Sequence, residues 1–358
     1  EVVVKAYFSE QPVLKLPASV SVLAANSLTA QSQVSPVSAM NSVPGVRMEE
    51  RSPGSYRLSL RGSLLRSPFG IRNVKIYIDE FPFTDPGGNT YLNLFDISSI
   101  NRIEILKGPE ASVFGANSGG VILINPNMAT PAGSSVSASL NIGSFSLFSE
   151  NVSFQKQSKT SYLDLSQSYL TSNGYRENSD LQRNFGMANY RWNYSQSSQI
   201  RVTGFYSNLQ YQTPGGLTAL QMEADPRSAR LATPTLPGGV AQKAGVKNET
   251  FYGAVLNETR LSPKWRHGSA VFASHTDFSN SAIANYEVKD EGNIGLRTYL
   301  DFKTPIESRY NFNWQIGAEA AHGSSDVAVF DNNGGQKGGQ RSFNRLNSNY
   351  SFFFSHFS

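Results

Sequence analysis

From residue 135 onward, apolar and polar positions alternate with a period of two. Val136, Ala138, Leu140 and Ile142 interleave with Ser135, Ser137, Ser139 and Asn141. Ile294, Leu296, Thr298, Leu300 and Phe302 interleave with Gly295, Arg297, Tyr299, Asp301 and Lys303. Tyr310, Phe312, Trp314, Ile316, Ala318 and Ala320 do the same with Asn311, Asn313, Gln315, Gly317 and Glu319. Successive side chains on a strand point to opposite faces, so each run predicts a strand with one apolar and one polar face. Such runs fall at about 135–142, 149–157, 160–170, 184–194, 199–209, 250–261, 268–278, 292–303, 310–321 and 346–357.

Two features set these strands apart from those of a soluble sandwich. Most are near the ~9–11 residues that cross a bilayer at barrel tilt, whereas soluble strands cluster at about 5–6. Their connections also alternate, short at 157–160, 195–198, 262–267 and 304–309, long at 171–183, 210–249, 279–291 and 322–345. Transmembrane barrels place short turns at one end and long loops at the other. The alternation by itself fits an apolar core or an apolar exterior equally well; length and loop asymmetry favour the exterior.

Residues 1–130 follow another pattern. Tyr56, Leu58 and Leu60 alternate with polar residues, as do Val74, Ile76 and Ile78 with Lys75, Tyr77 and Asp79. Val2-Val3-Val4 opens the segment, and Ile103, Ile105 and Leu106 precede the turn Lys107-Gly108-Pro109. Val121-Ile122-Leu123-Ile124 is a continuous apolar run, as in a strand buried on both faces. Helices are expected at 34–42 and 110–116, giving a small α+β domain. Asn125 to Ser134, with Pro126 and Pro131, reads as a linker.

Composition narrows the function. Hydrophobic residues make up 39% of the 358 and mean hydropathy is low, with no run of ~20 apolar residues for a membrane helix. Alternating strands dilute hydropathy, so this does not argue against a barrel. There are 22 Phe and 16 Tyr, which suit strands and interfacial girdles. The absence of cysteine removes disulfides and thiolate metal sites. A net charge of +4 without Lys/Arg runs gives no nucleic-acid tail. His267, His275, His322 and His356 are scattered, so neither a protein-held metal nor a catalytic cluster is expected. Asp331-Asn332-Asn333-Gly334-Gly335 lacks the spacing of a calcium loop and reads as a flexible loop. The first residue is Glu1, which fits a mature or truncated chain.

Several segments of the first domain together carry a resemblance. Asn41-Ser42-Val43-Pro44-Gly45-Val46, Leu58-Ser59-Leu60-Arg61-Gly62, Val74-Lys75-Ile76-Tyr77-Ile78-Asp79-Glu80-Phe81-Pro82, Ile97 to Pro109 and Ser112 to Ile122 occur in the order and at the spacing of the plug domain of TonB-dependent outer-membrane receptors. The chain departs at Glu80, where that family often has glycine. Gln212-Thr213-Pro214-Gly215-Gly216-Leu217-Thr218 and the following loop resemble ferric-citrate and siderophore receptors more narrowly.

The resemblance implies an α+β plug over residues 1–130 and, over 131–358, the first part of an antiparallel transmembrane β-barrel, about ten strands of an expected twenty-two and so a fragment. It implies a monomeric barrel in the bacterial outer membrane, bound by lipid, that takes up a ferric chelate and is energised through the TonB complex. Iron would be carried as cargo, with no cofactor, no nucleic-acid partner and no enzymatic role. Importers of cobalamin or a glycan are the nearer alternatives, a passive porin or an outer-membrane enzyme the more distant ones. An anionic chelate calls for Arg, Lys, amide and aromatic groups. Candidate vestibule residues are therefore Arg66, Phe69, Arg72, Phe83 and Tyr91 in the plug, and Gln210, Tyr211, Gln212, Arg227, Arg230 and Lys243 in the barrel loops. Arg61, Arg102 and Lys107 are expected to pair with the barrel-wall acids Glu258 and Glu319.

Overall fold

The computed structural model describes residues 3–4, 11–13, 18–30, 32, 34–52, 54–63, 71–108, 113–115, 119–126, 132–304 and 312–357. Its first part holds β1 (Val3–Val4), β2 (Gln11–Pro12), β3 (Ser19–Ala24), α1 (Ala25–Thr29), α2 (Val37–Asn41), β4 (Val46–Ser52), β5 (Ser55–Leu60), β6 (Lys75–Ile78), β7 (Phe81–Pro82), β8 (Ile100–Lys107) and β9 (Gly120–Pro126). The central sheet has the order β3-β8-β9-β6-β7, with β6 and β9 parallel and the other pairs antiparallel. β9 lies mid-sheet and is covered on both faces, which is why Val121-Ile122-Leu123-Ile124 carries no alternation. It starts where only glycine fits: Gly120 has φ +127°, and a Cβ there would stand 2.2 Å from the Leu106 carbonyl oxygen. The expected helix at 34–42 forms over Val37–Asn41. Most of the one expected at 110–116 lies outside the described residues.

The second part is one ten-stranded sheet in which every strand is antiparallel to its neighbours in chain order. Its members are β10 (Gly133–Gly143), β11 (Leu147–Gln157), β12 (Ser161–Ser172), β13 (Leu181–Asn193), β14 (Ser198–Gln212), β15 (Gly245–Arg260), β16 (Trp265–Ser281), β17 (Tyr286–Lys303), β18 (Asn313–Asn332) and β19 (Lys337–Phe357). The sheet curves around the first domain, which buries much of the inner face of β12 to β18, while β10 at one edge is exposed on both faces. The question the alternation left open is settled on β17: Ile294 and Leu296 are 56% and 52% exposed, while Arg297 and Asp301, on the opposite face of the same strand, are 1% and 4% exposed. The apolar face looks outward, as a lipid-facing surface does, and the charged face looks inward.

Strand length grows steadily along the sheet, from 11 residues in β10 to 21 in β19. This corrects two expected loops. Segments 279–291 and 322–345 are mostly the upper arms of β16 to β19, closed by the short turns 282–285 and 333–336. Polar residues occupy both faces of these arms, so the period-two signal vanishes there while the ladder of hydrogen bonds continues. The loop 213–244 is long as expected and contains α3 (Ala219–Ala224), which opens with a capping box between Thr218 and Gln221. The turn 333–336 is not the loose loop the sequence suggested. Asn332 Nδ2 donates to the Gln242 and Ala282 carbonyls, at 3.1 and 2.6 Å, pinning the arm to its neighbours.

Candidate functional site

The first domain and the wall meet through three buried polar centres. In the first, Glu319 on β18 accepts from Lys75 Nζ at 2.8 Å, Arg297 at 2.9 Å, the Tyr77 hydroxyl at 3.0 Å and the Tyr350 hydroxyl at 2.8 Å. Lys75 also donates to the Phe114 carbonyl at 2.9 Å. Burial pushes the Lys75 ammonium below its usual range, and the Glu319 carboxylate pulls the other way. β6 thus offers Ile76 and Ile78 to its own domain and Lys75 and Tyr77 to the wall, so all four residues are buried.

In the second centre, Arg201 on β14 reaches the β6–β7 turn and binds both Asp79 and Glu80. Asp79 takes the left-handed conformation that this tight turn needs, with φ +54°. Glu80, where the resemblance favours glycine, is free to serve as an anchor. Its second oxygen accepts from the Tyr299 hydroxyl at 2.8 Å. Glu258 accepts from Arg201 at 3.2 Å and from Arg266 at 2.8 Å, and Arg266 continues to Asp301. The third centre is Arg183 on β13, which binds Asp96 and donates to the Phe95 carbonyl at 3.1 Å. Burial raises the Asp96 carboxyl, but the Arg183 guanidinium and two bonds from Ser98 outweigh that and hold it below the usual carboxylate range. Around these centres Phe83 packs on Phe205 and Tyr252, with ring centres 5.6 and 6.1 Å apart, and Phe95 on Phe185 at 5.2 Å. Buried ion pairs of this kind add little net stability when intact, yet removing one partner is costly.

Glu258 and Glu319 therefore stand between the two parts, but their expected partners are corrected. Arg102 bonds Glu104 at 2.7 Å within its own domain, and Lys107 donates to the Pro44 carbonyl at 2.7 Å. Arg61 is exposed at a left-handed turn beside Gly108. From the first domain Glu319 takes Lys75 and Tyr77, while Glu258 is bound by Arg201 and Arg266 of the wall, and Arg201 in turn takes Asp79 and Glu80; all four first-domain residues lie in the segment Val74 to Pro82. Their polar face reads as solvent-facing until a second surface covers it.

At the loop end, a cavity of about 280 Å³ lies between the turn Asp85–Tyr91 and the inner faces of β17 to β19. Its polar lining includes Arg72, Asp85, Asn89, Tyr91, Lys289 and Glu291. Tyr91 stacks on Phe278 with ring centres 5.7 Å apart. A second cavity of about 460 Å³ at the same end is lined by Gln210, Tyr211, Gln212, Lys243, Lys247 and Tyr286, among others. A cavity of about 680 Å³ opens at the opposite end between the short turns, and among the described residues none of the first domain lines it. It has no part in a vestibule.

The remaining candidates fall as follows. Arg66 and Phe69 lie outside the described residues. Phe83 is wedged into the interface rather than facing the loop-end space. Gln210, Tyr211 and Gln212 are the last residues of β14, not a loop; Tyr211 turns inward and is buried, which by alternation turns Gln210 outward. Arg227 is exposed, donates to the Tyr175 carbonyl at 3.3 Å and lies over the Phe145 and Tyr175 rings. Arg230 donates its backbone N–H to the Pro214 carbonyl at 2.6 Å, bracing the long loop. Sequence spacing missed one cross-strand group. His275, Asp277 and Asp290 bring their ligand atoms within 4.8 Å of one another, but all are exposed on the outward face, away from both loop-end cavities.

Residues 12–122 match the family model described as the TonB-dependent receptor plug domain. Among solved structures, the ferric citrate transporter FecA is 14% identical and superposes with a TM-score of 0.79 over 97% of this chain and 55% of its own. The pyoverdine outer-membrane receptor FpvA of Pseudomonas aeruginosa PAO1 is 12% identical, with a TM-score of 0.77 over 99% of this chain and 56% of its own. The copper transporter OprC is 13% identical, with a TM-score of 0.71 over 94% and 52%. The chain thus spans about half the length of these relatives. Residues 12–122 thus match the TonB-dependent receptor plug domain, and with the sheet that follows them the chain has the fold of the plug and part of the barrel of these receptors.

Proposed function

We propose that the chain is part of an outer-membrane receptor that binds a ferric chelate above its plug and imports it with energy transmitted by TonB. The observation that carries this reading is the plug itself, seated inside an outwardly apolar wall by buried ion pairs from Lys75, Asp79, Glu80 and Asp96. A passive pore has no use for such an obstruction. An active importer needs one that holds at rest and yields under load. Lipid would meet the exposed Val136, Leu140, Val271, Ile294 and Leu296, placing the short turns on the periplasmic side and the long loop outside. No helix among the described residues is long and apolar enough to cross a membrane. Relatives of this fold are described as handling ferric citrate, pyoverdine and copper, and the first two favour a ferric chelate as cargo.

The test uses the receptor expressed in an iron-starved host that lacks its own chelate receptors. Growth is scored on a panel of ferric chelates with and without TonB. TonB-dependent rescue by one chelate is the expected result. No rescue, with the receptor present in the outer membrane, would remove iron and leave cobalamin or a glycan as cargo.

A further inference from the structure

The loop-end cavity of about 460 Å³ opens on the outside of the wall, and no plug residue among those described lines it. Its floor is a row of directly paired residues across five strands: Thr171, Gln182, Gln210, Lys247 and Ser279. Alternation puts each on the same face as an exposed apolar residue of its own strand, in turn Leu165, Trp192, Val202, Phe251 and Val271. The row therefore continues the outward apolar face upward. Lys247 stands four residues beyond Phe251 on β15, roughly 13 Å further along the strand.

The lining is rich in donors and poor in acids. Lys243 and Lys247 are exposed, and neither forms an ion pair among the described residues. Lys243 is held there in the left-handed region, with φ +46°, against Gly335, where a Cβ would stand 2.8 Å from the lysine Cβ. The side-chain amides of Gln182, Gln210 and Gln212 form no hydrogen bond among the described residues. Among the lining residues only Asp180 is acidic. Glu249, Asp277 and Asp290 share the outward face, but they lie nearer the apolar band and outside the lining.

Two unpaired ammonium groups beside three unspent amides suit a ligand that is both anionic and rich in hydroxyls. A bilayer around this wall brings such a group to this depth, because the outer leaflet of an outer membrane is built of phosphorylated glycolipid whose sugars begin where its acyl chains end. We infer that the cavity holds the phosphorylated sugar headgroup of that glycolipid, with Lys243 and Lys247 on a phosphate and the glutamines on sugar hydroxyls. The three carboxylates below repel a phosphate and so fix the height of the headgroup. Gln212 and Lys243 stand at the two ends of the long loop, so the bound headgroup braces the loop at its base. This assignment rests on the outer-membrane placement above and adds a lipid partner distinct from the cargo.

The experiment is native mass spectrometry of the full-length receptor in a nonionic detergent, with folding of each variant checked by its heat-modifiable shift in gel mobility. Four probes are titrated: lipid A with two phosphates, the same glycolipid after phosphatase treatment, phosphatidylglycerol, and inorganic phosphate. The diphosphorylated glycolipid is expected to bind at least about tenfold more tightly than its dephosphorylated form, the usual effect of one charge-assisted hydrogen bond. It is also expected to bind more tightly than phosphatidylglycerol, which offers a phosphate without a sugar. Lys243→Gln combined with Lys247→Gln should erase the first difference, and Gln182→Ala combined with Gln210→Ala the second. Lys264→Gln, on a short turn at the other end, should change neither. Equal affinity for the two glycolipids, a preference that survives the lysine variant, or equally tight binding of phosphatidylglycerol or inorganic phosphate would overturn the assignment. The growth panel keeps the two readings apart: glycolipid binding without rescue leaves this site and removes iron import, and rescue without glycolipid preference does the reverse.

Discussion

At the scale of single residues, the plug is held by a few charged groups with several partners each. Glu319 is the most connected, since it faces Lys75, Arg297, Tyr77 and Tyr350 at once. Replacing it with alanine leaves an ammonium and a guanidinium buried together. Glu319→Ala is expected to cost about 3–5 kcal/mol, read as a lower urea midpoint for loss of protease protection in the plug. An unchanged midpoint would mean that the wall does not depend on this centre. Lys75 and Tyr77 were hard to assign from sequence for a definite reason. Alternation with Ile76 and Ile78 marks a half-buried strand, and nothing local indicates that a second chain segment, 244 positions away, will cover the polar side. By contrast, Val121 to Ile124 could be placed at once, because a strand apolar on both faces has no other place than mid-sheet.

At the scale of elements, the wall was legible where it crosses the apolar band and illegible above it. Within the band, exposed Leu296 and buried Arg297 differ in environment as strongly as they differ in chemistry. In the upper arms, Ser324, Ser325, Asn344 and Asn347 face solvent or polar neighbours on either side, so hydrogen bonding alone maintains the strands and composition suggests loops. The same distinction predicts depth-dependent tolerance. Leu296→Arg, in the middle of the outward face, is expected to cost about 2–4 kcal/mol, and Ser324→Arg, nearer the loop end, about 0–1 kcal/mol. The comparison is made on refolding into lipid vesicles, scored by the heat-modifiable shift in gel mobility. Equal losses at the two sites would argue against a bilayer around this face.

For the whole molecule, the attachment of plug to wall should depend on pH at the Arg183 centre. Asp96 titrates below the ordinary carboxylate value of about 3.9 when folded. Its contribution is therefore complete above that value and is lost as pH falls through the lower folded one. Between about pH 5 and about pH 3, hydrogen exchange of Leu92–Ser99, corrected for its intrinsic rate, is expected to rise, and Arg183→Met should remove most of that step. A segment equally protected at both ends of the range would show that the pair does not hold it. The large-scale layout, plug then wall, was readable because glycine- and proline-marked turns and period-two strands are local signals. The loop-end cavities were not, because Arg72 and Lys289 are brought together only by the closure of the wall around the plug.

The order of strands in the plug sheet has a mechanical consequence. β3 lies at one edge and is held within the sheet only by β8, through six rungs from Ser19 opposite Lys107 to Ala24 opposite Arg102. The other edge, β6 with β7, is riveted to the wall by Lys75, Asp79 and Glu80. Within this sheet, tension entering from the N-terminal side reaches β3 first, at the Ser19 rung. An antiparallel ladder loaded at its end opens like a zipper, one rung at a time, instead of shearing all at once. The sheet is thus weakest where such a tug arrives and stiffest where it is bolted down, so a small force can strip one edge while β8, β9 and β6 stay anchored.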